Sequence, residues 1–154
     1  MNENEVLSAI IDFFIHRDFS LMYRTDPQPN EIGGVDAILF SPHPEDKYYF
    51  IEAKGTPNTP QISSRNFTNA VGSVLKRIRI VSGYSGNEAA RNFLNPEFRN
   101  NIAANACHRA SYYILALTPE YLETLRQTID SAIAGILNIR VFKVEPMIIQ
   151  EFFW

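Results

Sequence analysis

Apolar residues recur at helical spacing in some segments and at strand spacing in others. The order of these segments predicts one α/β domain. Residues 3–17 carry acids in their first turn and then apolar side chains at helical spacing, which predicts a first helix. Residues 19–24 are short and mixed, which is typical of a strand. Two prolines and a Gly-Gly pair make residues 25–34 a loop.

The stretch from 30 to 55 is predicted to be a hairpin of two apolar strands. The strands span residues 35–40 and 48–53, and the polar, proline-containing segment 41–46 forms the turn. Both strands are apolar on both faces instead of alternating. We therefore expect each strand to lie inside the sheet, with a helix layer on either side.

Helical spacing returns after the hairpin. A helix is predicted from Ser63 or Ser64, either of which can cap it, to about Val81. Its apolar positions follow the helical rule, namely Phe67, Ala70, Val71, Val74, Leu75 and Ile78. The pattern is weak over residues 82–109, where only irregular helical structure is expected.

The last third of the chain predicts a buried strand, a helix and a further strand. The strand covers residues 111–117, and Thr118-Pro119-Glu120 then opens a helix with a capping hydroxyl and a proline at its first position. The apolar stripe of that helix consists of Leu122, Leu125, Ile129, Ile133 and Ile136. Residues 138–144 alternate as a strand, and the apolar tail 147–154 is expected to pack against the rest of the chain.

This order of elements predicts a mixed central sheet flanked by helices, in a single domain spanning 1–154. An apolar fraction of 45% and a charged fraction of 20% are those of an ordinary globular protein. No apolar run approaches the roughly 20 residues of a membrane helix, and the chain does not open with a signal-peptide pattern. A cytoplasmic protein without a membrane partner is expected, and the single cysteine, Cys107, fits a reducing compartment.

The net charge of −3 is unevenly distributed along the chain. Residues 53–109 hold eight basic and two acidic side chains, whereas residues 1–52 hold three basic and ten acidic ones. A local basic surface can bind phosphates even in an acidic protein, although a pI near 5.6 argues against indiscriminate nucleic-acid binding. The alternative is a solvated helix face without a partner.

The hairpin also carries the candidate chemistry. Asp36 opens its first strand and Glu52 ends its second, and the sequence midpoint between them is Pro44, inside the turn. An antiparallel pairing therefore brings the two carboxylates together. Since strand side chains alternate, Glu52 and Lys54 leave one face while Ala53 points to the other.

Two carboxylates and a lysine at one point suit a hard divalent cation. Without a cation the carboxylates would repel each other, and Mg²⁺ takes one or two carboxylates while keeping several waters. The alternative is purely structural: an aspartate in a turn, and a Glu-Lys pair at the end of a strand.

The dipeptide Val35-Asp36, the apolar strand pair, the run Glu52-Ala53-Lys54-Gly55 and the ensuing helix resemble the PD-(D/E)xK nuclease superfamily. This resemblance implies a restriction-endonuclease-like fold and metal-dependent hydrolysis of a phosphodiester in DNA. It implies that Asp36, Glu52 and the carbonyl of Ala53 hold Mg²⁺, for which Mn²⁺ substitutes. Lys54 would then orient the attacking water or help to deprotonate it.

The resemblance implies further residues outside the hairpin. Some members of the superfamily use a glutamate on the first helix, and Glu5 is the best match by position. Numerous members carry glutamine where this chain has Ser73, and the residue before Asp36 is valine instead of proline. The expected nucleic-acid contacts follow on the second helix and just beyond, namely Asn69, Ser73, Lys76, Arg77 and Arg79.

Two other functions stay open at this point. The same fold can serve as a catalytically silent binding or assembly module, which the acidic net charge and Ser73 favour. An unrelated α/β enzyme with a carboxylate-metal site is the third possibility. Many nucleases of this kind dimerise, and the tail 147–154 is a candidate interface for a homodimer or a larger complex.

Overall fold

A six-stranded sheet forms the centre of the computed structural model, which describes residues 1–25, 36–57, 65, 67–75 and 111–154. The strands are β1 (Ser20–Arg24), β2 (Ala37–Phe40), β3 (Tyr48–Lys54), β4 (Ser111–Leu117), β5 (Ile139–Glu145) and β6 (Ile148–Phe152). The helices are α1 (Glu3–Ile15), α2 (67–75), a 3-10 turn (Pro119–Tyr121), α3 (Leu122–Thr128) and α4 (Ser131–Ile136).

The strands lie in the sheet in the order in which they occur in the chain. Strands β1, β2 and β3 form an antiparallel meander, β4 and β5 continue parallel to β3, and β6 returns antiparallel to β5. The predicted class, α/β with a mixed sheet flanked by helices, is confirmed. The prediction had five strands, and the sixth is formed by the apolar tail.

The two faces of the sheet are covered by different helices. Helix α1 packs its buried stripe on one face, against Ala37, Leu39, Tyr49, Ile51 and Ala53. Helix α2 and the segment from Tyr121 to Ala134 cover the other face, against Ile38, Phe50, Leu115 and Leu117. Alternate residues of β2 and β3 therefore enter opposite cores, as the two-sided apolar pattern predicted.

Helix α1 begins with a reciprocal cap between Asn2 and Glu5, which explains why the helix starts at Glu3. The side chain of Asn2 accepts a hydrogen bond from the backbone N–H of Glu5, and the Glu5 carboxylate accepts one from the N–H of Asn2. This arrangement satisfies two backbone donors that a helix start leaves without a partner. The buried stripe of the helix is Val6, Leu7, Ile10, Ile11 and Phe14.

The prediction of one continuous helix after β4, capped by Thr118, is wrong in two respects. Thr118 precedes the 3-10 turn, but its side chain makes no capping hydrogen bond. The helix is also interrupted at Ile129, because Asp130 caps a new helix by accepting a hydrogen bond from the N–H of Ala132. Ile133 and Ile136, predicted to share the buried stripe, are consequently exposed.

Some predictions fall on residues that the structure does not describe. These are the start of the second helix at Ser63 or Ser64, its end near Val81, and the irregular region 82–109 with Cys107. Across the described ranges, no helix combines the length and the apolar character needed to cross a membrane.

Candidate functional site

The hairpin brings Asp36 opposite Glu52. Ala37 pairs with Ile51 in the antiparallel register, so the preceding and following residues, Asp36 and Glu52, are next in line. The backbone N–H of Asp36 donates to the carbonyl of Ile51 at 2.8 Å, which extends the pairing past the end of β2. This is the juxtaposition that the midpoint at Pro44 predicted.

The side chains also divide between the faces as predicted. Ala53 is fully buried in the core beneath α1. Its backbone N–H donates to Oδ2 of Asp36 at 2.7 Å, which fixes the Asp36 carboxylate against β3. Glu52 and Lys54 lie on the opposite side of the strand from Ala53, and Glu52 is 5% exposed.

Lys54 joins two glutamates from different elements. Its Nζ lies 3.1 Å from Oε1 of Glu52 and 3.1 Å from Oε2 of Glu3, at the start of α1. The Lys54 side chain is only 12% exposed, whereas that of Glu3 is half exposed. The ammonium therefore sits at the rim of the site, between a buried and an accessible carboxylate.

Burial and repulsion from neighbouring carboxylates raise the pKa of both Asp36 and Glu52. Burial, reinforced by the charge of Asp36, raises the pKa of Glu52 to about 8 although Lys54 opposes the shift. Burial also raises the pKa of Asp36, against the opposing effects of Lys54 and the N–H of Ala53. For Lys54, burial acts to lower the pKa, but Glu52, Asp36 and Glu3 together outweigh it and raise the pKa. Lys54 is therefore charged at neutral pH.

One carboxylate oxygen of Glu52 has no hydrogen-bond partner among the described residues. Within the described residues, Oε2 of Glu52 is buried and accepts no hydrogen bond, while Oε1 faces Lys54. A buried carboxylate oxygen left in this way suits a cation or a proton. The carboxylates of Asp36 and Glu52 are of the ligand type that Mg²⁺ takes from a protein. The described residues contain no metal-binding group of three or more His, Cys, Asp or Glu side chains.

The structure places Glu3, and not the expected Glu5, against Lys54. Glu5 is engaged in the helix cap with Asn2, whereas Glu3 reaches Lys54. Helical spacing could have identified Glu3, because it precedes Val6 by three residues and Ile10 by seven and so lies on the buried stripe. Glu5 lies on the other side of the helix.

Gly55 lets α1 approach the end of β3. A Cβ at Gly55 would lie 2.4 Å from the backbone carbonyl carbon of Asn2 and 2.4 Å from the backbone nitrogen of Glu3. The next residue, Thr56, donates its N–H to the carbonyl of Met1 at 2.8 Å. Because Gly55 has no side chain, the start of α1, which carries Glu3, can pack directly against the end of β3.

Replacing Gly55 by alanine is expected to lower the free energy of unfolding by about 1–3 kcal/mol, because backbone atoms of α1 must move to admit the methyl group. Urea denaturation measures this change. Gly72 is a matched control in α2, where a Cβ meets nothing within 4 Å. Gly72→Ala should stabilise the fold by up to about 1 kcal/mol, through helix propensity. Equal effects of the two substitutions would contradict the close approach at Gly55.

Glu52 should make the fold less stable as the pH rises. Its pKa is about 8 in the folded chain and near 4.5 when unfolded, so between these values the native state holds the extra proton. Stability then falls with pH across this window, by up to about 1.4 kcal/mol per pH unit, and levels off above it. Denaturation at a series of pH values, with Glu52→Gln and the exposed Glu123→Gln, tests this. Glu52→Gln should flatten the dependence of stability on pH, and Glu123→Gln should leave it unchanged. A pH dependence that persists in Glu52→Gln would contradict the assignment to Glu52.

The predicted nucleic-acid contacts are only partly described. Asn69 is exposed and Ser73 half-buried on α2, whose buried residues Phe67, Ala70 and Val74 pack on the sheet face that bears Glu52. Lys76, Arg77 and Arg79 lie outside the described residues.

Comparison with known proteins adds nothing to this geometry. No family model, curated protein or solved structure showed a significant match to the chain. The function is therefore argued from the fold class and the side chains of the site.

Proposed function

We propose that this protein is a metal-dependent phosphodiesterase of the PD-(D/E)xK type that cleaves DNA, with Asp36, Glu52 and Lys54 as its catalytic residues. The observation that carries the proposal is the juxtaposition of half-buried Asp36 and buried Glu52 at the end of a hairpin, with one Glu52 oxygen unpartnered within the described residues and Lys54 alongside. A structural ion pair would need only one carboxylate for one lysine. The second carboxylate and the open oxygen favour a cation.

The sheet supports a restriction-endonuclease-like assignment. An antiparallel meander ends in β3, and the next two strands continue parallel to it. The ends of β3 and β4 therefore meet at one edge, where Glu52 and Lys54 lie. Open sheets place ligands at such an edge, outside the carboxyl ends of parallel strands.

Each residue of the site has a distinct role in the proposed reaction. Asp36 and Glu52, with the carbonyl of Ala53, would hold Mg²⁺, which when bound supplies a Lewis acid that stabilises charge on the phosphoryl oxygens. The Ala53 N–H keeps the Asp36 carboxylate in place. Because Lys54 is charged, it orients the attacking water and offsets negative charge, and it does not act as the base.

Glu3 keeps Lys54 in position. When Glu52 is occupied with a cation, Glu3 remains as the carboxylate partner of the Lys54 ammonium. DNA would be held through its phosphates by the basic segment that follows, with Lys76, Arg77 and Arg79, in a salt-dependent manner.

The alternative is a catalytically silent module with the same fold. Ser73, half-buried on α2, is the observation that favours it, since numerous members of the superfamily carry glutamine there. Such a module would bind DNA or a protein partner without hydrolysing a phosphodiester.

Incubation with linear and supercoiled DNA in Mg²⁺ tests the proposal. The wild-type protein should cleave, EDTA should stop it, and Asp36→Ala and Lys54→Ala should each lower the rate by about 100-fold or more. Arg17→Ala is the matched control, because Arg17 is exposed just after the C-terminal end of α1, at the far end of that helix from Glu3. Equal background cleavage by the wild type and both site variants would remove the enzyme proposal and leave the silent module.

A further inference from the structure

Lys143 lies in the same row of the sheet as Lys54, two strands away. Lys54 of β3 pairs with Leu117 of β4, and Leu117 pairs in turn with Lys143 of β5. Because neighbouring strands of a sheet are about 4.8 Å apart, the backbones of the two lysines are about 10 Å apart. The parallel pairing of β3, β4 and β5 puts both lysines near the carboxyl ends of their strands, at the edge that carries the candidate site.

The two lysines also lie on the same face of the sheet. Val141 belongs to the core that contains Leu115 and Leu117, on the face away from α1. Lys143 follows Val141 by two residues, so its side chain leaves the same face, as that of Lys54 does on β3. Leu117, between the two lysines, is fully buried. Lys54 and Lys143 therefore flank the point at which the chain leaves β4.

Glu145 directs the side chain of Lys143 along its strand towards this edge. The Lys143 ammonium lies 2.6 Å from Oε2 of Glu145, which is two residues further along β5. Among the described residues, Glu145 is the only ion-pair partner of Lys143. Both side chains keep part of their surface accessible, 22% for Lys143 and 33% for Glu145. An ion pair near the surface contributes at most about 1 kcal/mol, so an incoming anion can replace Glu145.

We propose that Lys143 is a further phosphate-binding residue of the site, which holds the DNA backbone on one side of the phosphate that is cleaved. This role rests on the proposed function, in which Lys54 lies at the cleaved phosphate. Phosphates of one DNA strand recur about every 3.4 Å along the helix axis, so a spacing of about 10 Å corresponds to a phosphate about three nucleotides away. Glu145 neutralises Lys143 in the free protein and competes with that phosphate. Lys143 positions the substrate and supplies no group to the reaction itself.

The test measures binding of a fluorescent DNA duplex by anisotropy at several salt concentrations, with Ca²⁺ in place of Mg²⁺. Lys143→Gln should weaken binding about 3- to 10-fold and make the salt dependence less steep by about one unit of log K per unit of log salt, because one phosphate contact is lost. Glu145→Gln should instead tighten binding, since it removes the competing carboxylate. Lys143→Arg keeps the cation and should keep the affinity.

Arg17→Gln and Asp12→Asn are the matched controls. They change the charge by the same amounts as Lys143→Gln and Glu145→Gln, at exposed positions towards the far end of α1 from Glu3. Both should leave DNA affinity near the wild-type value, because charges beyond about 10 Å are screened by salt. In cleavage assays, Lys143→Gln should raise KM and leave kcat unchanged, as expected for a group that binds substrate and transition state equally.

Two results would overturn the proposal. One is wild-type affinity and salt dependence in Lys143→Gln. The other is weaker binding in Glu145→Gln, which would show that the ion pair serves only the fold. If the wild-type protein cleaves DNA and Lys143→Gln has the wild-type KM, the phosphate contact fails while the proposed function stands. If binding depends on Lys143 but no DNA is cleaved in Mg²⁺, the proposed function fails while the phosphate contact stands. A wild-type protein that binds no DNA refutes both.

Discussion

Replacing Lys54 by methionine should lower the free energy of unfolding by about 3–5 kcal/mol at alkaline pH, because it leaves buried carboxylates without their cation. Glu52 is buried and Asp36 half-buried, and Lys54 is the only cation that the described residues place against Glu52. Methionine preserves most of the side-chain volume, so the loss would reflect charge and not a cavity.

The pH dependence of this loss separates charge from packing. Below the pKa of Glu52, which is about 8, Glu52 is protonated in the folded chain and Lys54 neutralises less charge. The destabilisation by Lys54→Met should therefore be smaller at about pH 5 than at about pH 9. Urea denaturation at both values measures it. Lys143→Met removes a more exposed ion pair and should cost at most about 1 kcal/mol. A loss that does not change with pH would contradict the charge argument.

Replacing Glu3 by glutamine is expected to slow DNA cleavage by about 10- to 100-fold, because Lys54 loses the carboxylate that holds it when Glu52 binds a cation. Glu3 is half exposed, so its substitution should leave the fold intact. Glu5→Gln is the matched control in the same helical turn, since the part of the chain that the structure describes engages the Glu5 carboxylate in the cap with Asn2 and not at Lys54. Initial rates over a series of DNA concentrations measure the effect. Equal rates for Glu3→Gln and Glu5→Gln would refute the role of Glu3.

The hairpin could be predicted from sequence because two simple rules determine it. The turn fixes the register, so residues equidistant from Pro44 pair, and Asp36 meets Glu52. The period of two then places Glu52 and Lys54 on one face and Ala53 on the other. The α/β class followed from the same apolar pattern.

The errors lie where local preference meets tertiary packing. The resemblance pointed to Glu5 by position on the first helix, whereas it is Glu3, on the buried side of α1, that contacts Lys54. The apolar stripe of the helix after β4 suggested continuity, and the cap at Asp130 breaks it. The close approach of α1 at Gly55 depends on how two elements pack in space, which spacing along the chain does not encode.

The buried polar atoms could not be predicted from sequence either. A threonine before a helix-starting proline is expected to cap the helix, and here the hydroxyl of Thr118 is buried without capping it. The protonation of Glu52 depends on its burial in the folded chain and on the charge of Asp36. These properties arise from the assembled sheet and its helices.

A crystal soaked in Mn²⁺ shows whether Asp36 and Glu52 bind a divalent cation, because the anomalous scattering of the ion marks its position. We expect one strong peak between Asp36 and Glu52 in the wild-type protein, and its loss in Glu52→Gln. A crystal that takes up Mn²⁺ elsewhere, or none at these carboxylates at saturating concentration, would contradict the assignment of this cluster as a metal-dependent catalytic site.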